Sequence, residues 1–326
     1  MFGFIRQRAI ASLISLLGLV VLVFFLSRLT GDPAALFLPI DATDEMRRQF
    51  REIHGLNDPL AVQFWHYLGD LARLDFGDSL RRARPAIEIV LEAFAWTFQL
   101  AVITMAIVTA AAIAVGALAA FRVGGLFDRI ASVTSLVGAS APDFWIAILG
   151  IVLFSVTLGW LPTSGTGTPL HWILPIGVLF IRPFGLIVQV VRGSMITALS
   201  SAYVKTARAK GVRSGPIIFV HALRNAMLPV ITVIGDQAAA LLNGAVVVET
   251  IFGLPGIGRY FVQGALGRDY TLVMGTVVVI AVLAFIGWAI FGPSPALAYA
   301  LVAAISVAVI AAAGGLMSVF DFHAWL

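Results

Sequence analysis

The chain has 326 residues, 60% of them hydrophobic and only 12% charged, with a mean hydropathy of +1.00. Soluble domains carry about 25% charged residues, so this composition belongs in a bilayer. The net charge of +4 is small and its distribution matters more than its sum: membrane orientation explains the basic residues without nucleic acid, and the lack of cysteine excludes disulfides and thiolate metal sites.

Arg6 and Arg8 precede an apolar run over 9–28 that is longer than a secretory signal core. Ser27-Arg28-Leu29-Thr30 follows it and is no small-x-small cleavage site, so the run reads as a retained first span. Segment 29–95 reads as a helical cap on one membrane surface. Thr43 is placed to cap a first short helix, with Asp44 and Glu45 in its first turn and Gly55 at its end. Asp58 and Pro59 are placed to open a second, with Leu60, Phe64, Tyr67, Leu68 and Leu71 on one face. Runs over 96–120, 130–158 and 173–191 are each long enough to cross about 30 Å of hydrocarbon as helices. Asp143 after Pro142 reads as a cap or kink of the third span.

Residues 192–228 are the most informative stretch. This polar segment carries Arg192, Lys205, Arg208, Lys210, Arg213 and Arg224 and no acid. Tyr203–Lys210 reads as a short helix stopped by Gly211, and Ser214 and Pro216 start a second that ends by Leu228, ahead of Pro229. Two short helices with apolar and basic faces at a membrane surface suit docking to a soluble partner. Lipid headgroups or topology alone would also explain Arg208 and Lys210. Spans five and six follow at 229–248 and 272–291, and a further apolar run covers 296–317 after Gly292-Pro293-Ser294-Pro295.

Orientation follows from the basic residues. With the N-terminus inside, Arg6, Arg8, Arg122, Arg129 and the whole 192–228 set lie on the cytoplasmic side, and 29–95 lies outside. No phosphate-binding G-x-x-x-x-G-K-[ST] is present, the five histidines lack a metal-ligand spacing, and no catalytic constellation emerges.

The segments YVKTARAKG, HALRNAMLP and NGAVVVETIFGLPGIGRYFVQGALGRDY closely resemble the dipeptide/oligopeptide/nickel branch of ABC-transporter permeases. TGDPAALFLP and GLNDPLAVQFWHYLGDLARLDFGDSL are similar to that branch's first-subunit type, and the resemblance runs over about 1–291. It implies an all-α polytopic fold with six spans, paired with a second related permease. Two cytoplasmic ATPase subunits bind below, an extracytoplasmic solute-binding protein delivers cargo above, and lipid surrounds the chain. The resemblance implies no enzymatic activity and no cofactor here, ATP and Mg being held by the partners. The family's E-A-A-x-x-x-G motif falls on Lys205-Thr206-Ala207 and Gly211, with Lys205 in the acid's place. The coupling surface is thus expected at Tyr203, Lys205, Thr206, Ala207, Arg208, Lys210, Gly211, Pro216 and Arg224.

Two features depart from the family. The 296–317 run, followed by VFDFHAWL, stands where the branch has a basic tail. It reads as a possible extra helix within a C-terminal segment 292–326. Arg182, Asp236 and Gln237 lie at membrane depth, which suits either a wall of the translocation pathway or an Arg182–Asp236 ion pair. Asn243 and Gly244 read as a point of close helix packing. Between Glu249 and Tyr270, Phe252, Gly253, Pro255 and Gly256 suit a re-entrant periplasmic gate, or plain turn punctuation. The expected function is the permease subunit of an ATP-driven importer of peptides or similar small solutes. Importers of nickel chelates, glutathione or opine-like compounds are the alternative within transport. A membrane enzyme or assembly scaffold is the alternative from another class.

Overall fold

The computed structural model describes residues 42–291 except 54, 74, 80, 213–216, 218–221 and 268, with residues 10, 14, 17, 18, 20, 21, 24, 25 and 38 before them. For 243, 244, 270 and 283–291 only the backbone is described. Most of the first span, Pro216, the side chains of Asn243 and Gly244, and the 296–317 run therefore lie outside the described residues.

The chain divides into two compact units. The first contains the described residues up to Ala95 and Gly256–Ile286; the second contains Trp96–Pro255 and the short stretch from Gly287.

In the first unit, α1 (Asp44–Ile53) and α2 (Leu60–Ala72) are the two expected cap helices. The Thr43 hydroxyl accepts the Met46 amide at 3.3 Å, a side-chain cap on the first turn. Asp58 does not cap α2. Pro59 holds the N-cap position without a side-chain bond, and the Asp58 backbone carbonyl accepts the Gln63 side-chain amide at 2.8 Å. The inward face of α2 is aromatic: Phe24 stacks on Tyr67 at 5.5 Å and meets Phe64 edge-on at 5.2 Å. Burial pushes the Tyr67 phenol up to about 12, so the ring stays neutral.

A feature absent from the all-α expectation follows. Strands β1 (Asp78–Ser79) and β2 (Arg84–Pro85) pair antiparallel, Asp78 against Pro85 and Ser79 against Arg84. Two-residue strands carry too little alternation to show in a sequence pattern. Ser79 is fully buried and donates to the Asp269 carboxylate at 2.5 Å. Asp269 also accepts the Leu272 amide at 3.1 Å, capping α11 (Tyr270–Phe291). Between them in the chain lies α10 (Ile257–Leu266), where Tyr260 supports the Arg82 guanidinium at 4.3 Å and Gln263 accepts from it at 3.0 Å.

The second long helix does not begin at 96. Helix α3 runs unbroken over Ala86–Phe121, 36 residues or about 54 Å. Its first turns pack in the first unit, Ile89 and Val90 against Leu272, while the remainder belongs to the second unit.

In the second unit, the expected third span is broken. Helix α4 (Leu126–Ser140) is followed, after Ala141-Pro142, by α5 (Asp143–Gly150), which continues as a π-helix over Ile151–Thr157. The two halves bend by 102°. Proline disfavours helix at the residue before it, so Ala141 is extended, with ψ 134°. Helix α6 (Leu170–Leu199) stays one helix despite Pro175 and Pro183. It lies against α4, α5 and the helix over Leu223–Gly244, meets α3 at Gly116, and its residues Ile187, Val188, Val191 and Met195 are fully buried in the main apolar core.

After the short α7 (Ala202–Ala209) comes α8 (Leu223–Gly244). The expected stop before Pro229 is not observed: Pro229 sits inside α8. Proline lacks the amide that would bond one turn back, yet α8 continues through it, as α6 does through Pro175 and Pro183. The Glu249–Tyr270 segment is helical where a loop was expected. Helix α9 (Val246–Phe252) and α10 are separated only by the Gly253–Gly256 link. Among the described residues, three helices are long and apolar enough to cross a membrane, or four if the bent pair counts as one span.

Candidate functional site

The surface helix α7 is joined to α6 by Ser200 and Ser201 alone. Val204 is wholly buried and anchors it, while Tyr203, Lys205, Thr206, Arg208 and Lys210 are exposed and Ala207 is half-buried. Arg224, in the first turn of α8, is exposed too. The helix ends in a Schellman motif. The Gly211 amide donates to Arg208 O at 2.9 Å and the Val212 amide to Ala207 O at 3.1 Å, with Gly211 at φ +76°. Glycine takes this left-handed conformation at no steric cost, and among the other residues asparagine tolerates it best. The result is a short helix presenting five polar side chains, three of them cationic, outward on one apolar anchor.

The membrane-depth residues are not brought together as a pair. Asp236 accepts from Gln237 at 3.3 Å, and Arg182 is exposed on α6 within the electrostatic reach of Asp143. No Arg182–Asp236 ion pair occurs among the described residues. Phe252 of the expected gate lies in the apolar core of the second unit, 2% exposed, and its carbonyl accepts the Gly165 amide at 2.9 Å. Gly253 repeats the Schellman geometry at φ +67°, and Leu254 tucks into the same core. Gly256 is the extended N-cap of α10.

Two polar contacts were not anticipated from sequence. Asp128, 3% exposed, holds Arg192 through both carboxylate oxygens: Arg192 Nη2 donates to Oδ2 at 2.9 Å and Nε donates to Oδ1. The Gly124 amide also donates to Asp128, at 2.8 Å. Glu249, 1% exposed, accepts from the Thr97 hydroxyl at 2.6 Å. Among the described residues, no group of three histidine, aspartate or glutamate side chains could hold a metal ion.

Long apolar helices, one of them sharply bent, with a basic surface helix set between two others, define a polytopic membrane transport subunit. Comparison with known proteins gives the family. Residues 112–317 match the binding-protein-dependent transport system inner membrane component family, and residues 1–101 match its N-terminal domain. The chain belongs to that family. It is 36% identical over 299 residues to the oligopeptide transport system permease protein AppB of Bacillus subtilis, covering 88% of this chain and 95% of the relative. A probable peptide ABC transporter permease, y4tP of Sinorhizobium fredii, is 37% identical over 84% of this chain and 91% of its own length. The glutathione transport system permease protein GsiC of Pectobacterium atrosepticum is 38% identical over 85% and 91%. The chain is a membrane permease subunit of the first-subunit type and a non-catalytic component of its system.

Proposed function

We propose that this chain forms one side of the translocation pathway of an ATP-driven importer for peptides or similar small solutes. Its N-terminus is inside and it has six spans. A second related permease supplies the other side. An extracytoplasmic binding protein delivers cargo over segment 29–95, and two ATPase subunits dock beneath, where they hold ATP and Mg. The relatives named for oligopeptide, peptide and glutathione transport support this cargo class, since each covers most of the chain.

The observation that carries the reading is α7. A short helix joined to α6 by two residues, and closed by Gly211, cannot move without moving α6. Closure of the ATPase dimer would displace its docking groove, with Lys205, Arg208 and Lys210 as the exposed contacts, and so bias the spans between inward- and outward-facing arrangements. Arg182, Asp236 and Gln237 are then wall residues of the pathway, because a carboxylate at membrane depth costs about 2.5–3.5 kcal/mol unless solvated or paired. Phe252, Gly253, Pro255 and Gly256 shape its periplasmic end.

The test is uptake by the complete complex in proteoliposomes, with its binding protein and a panel of labelled di- to pentapeptides, glutathione and a nickel chelate. ATP-dependent peptide accumulation is expected, with Asp236→Asn lowering uptake of cationic peptides most. Accumulation of the chelate or glutathione alone would replace the cargo assignment. A complex that moves no solute while hydrolysing ATP would contradict the importer reading.

A further inference from the structure

Helices α4 and α6 are zipped face to face along one antiparallel seam. On α6 the seam residues are Ile181, Gly185 and Arg192, spaced by four and seven, so they share one face. A Cβ on Gly138 would lie 3.1 Å from Ile181 Cγ2, and one on Gly185 would strike the Ser135 carbonyl and lie 2.9 Å from the Ala139 amide. The two backbones therefore approach closely at these glycines. At the α7 end of this seam comes the Asp128–Arg192 pair, where the guanidinium grips both carboxylate oxygens. Helix α3 reaches the same level, for a Cβ on Gly116 would sit 2.7 Å from Val191 Cβ.

A buried ion pair is a poor way to gain stability, because desolvation offsets most of the attraction and a well-packed apolar pair does as well. Its distinctive property is geometric. Two parallel charge-assisted hydrogen bonds fix the orientation of the two helices about each other, which apolar contacts do not. The Gly124 amide on the same carboxylate adds the α3–α4 turn to the assembly. The location is equally specific: Arg192 lies in the last two turns of α6, and only Ser200 and Ser201 separate that helix from α7.

Building on the proposed function, we infer that Asp128 and Arg192 are positioning residues of the transport cycle: their ion pair makes α7, the end of α6 and α4 one rigid lever. ATPase movement at α7 is thereby delivered to the span that bends by 102° at Ala141-Pro142. Without the pair, α6 still moves with α7, but α4 lags and ATP is hydrolysed with less solute moved.

The test uses the whole complex with its binding protein in nanodiscs for ATPase rates and proteoliposomes for uptake. The variants are Asp128→Asn, Arg192→Gln and the two combined. Arg192→Gln strands the buried Asp128 carboxylate and Asp128→Asn unpairs the half-buried Arg192, so each is expected to lower the yield of assembled complex. The combined change removes both charges and is expected to recover yield. Its solute moved per ATP stays about 5-fold or more below wild type, the range of ordinary coupling energies. A merely structural brace would recover yield and coupling together, and that result overturns the inference.

If the combined variant does not assemble, Asp128→Cys with Arg192→Cys in this cysteine-free chain replaces it. A short reducible bifunctional thiol reagent is expected to restore coupling, and reduction to abolish it. Coupling indifferent to both treatments also overturns the inference. A wild-type complex without binding-protein-stimulated, solute-coupled hydrolysis would instead refute the proposed function itself, so the two failures are read from different samples.

Discussion

Gly211 separates backbone conformation from packing, because nothing among the described residues lies within 4 Å of where its Cβ would be. A substitution there meets no described neighbour, and its effect is read from φ +76°. For an L-residue the left-handed region costs about 1–2 kcal/mol, and more when the side chain branches at Cβ. Gly211→Val should therefore cost about 1–3 kcal/mol, enough to depopulate the Schellman turn by roughly 5- to 150-fold. Asparagine tolerates this region, so Gly211→Asn should lie near wild type and Gly211→Ala between the two. The assay is solute accumulated per ATP hydrolysed in proteoliposomes, beside the yield of assembled complex. Yield should hold across the series while coupling falls in the order Asn, Ala, Val. Equal coupling in all three, or an Asn variant as poor as Val, would refute the assignment of the turn.

Cysteine at Ile53, which is 79% exposed in α1, should react with an impermeant thiol reagent on intact cells, while cysteine at Val123, 58% exposed in the α3–α4 turn, should not; the reverse pattern overturns the topology. Ser79 is unsuitable for such labelling because its hydroxyl is buried against Asp269. Gly185→Ala should lower the melting temperature of the purified complex through a cost of about 1–3 kcal/mol, since its Cβ meets the Ser135 carbonyl, and an unchanged transition would contradict the seam. Asp269→Ala removes the α11 cap and strands the Ser79 hydroxyl, so it should cost about 1–3 kcal/mol and exceed Ser79→Ala, read as loss of melting temperature.

Much of this architecture was legible in the sequence for identifiable reasons. The helix ends at Gly55 and Gly211 could be placed because glycine in the left-handed region is a local requirement, written at one position. The kink at Pro142 was legible on the same grounds. The family resemblance rested on contiguous motifs around α7 and α9, and the matching family covers them. What sequence could not show was non-local. Asp128 and Arg192 are 64 positions apart, and Thr97 and Glu249 are 152 apart, so neither pairing leaves a periodic or spacing signal. Arg192 was readable as a topology charge, yet it is the partner of the buried Asp128. The same distance effect misled in the other direction: Arg182 and Asp236 are opposite in charge and both at membrane depth, but no ion pair joins them. The continuation of α8 through Pro229 and of α6 through Pro175 and Pro183 shows the remaining weakness, since packing holds a long helix across a proline that local preference would read as a stop.

The central claim is that α7 is where the ATPase engages this chain. A photo-crosslinking amino acid at position 208, exposed on α7, tests it most directly in membranes containing the complete complex. The account expects a covalent adduct between this chain and the ATPase subunit, lost when the same group is placed at position 53 in α1. Adducts with lipid alone at position 208, or an ATPase adduct from position 53, would contradict it.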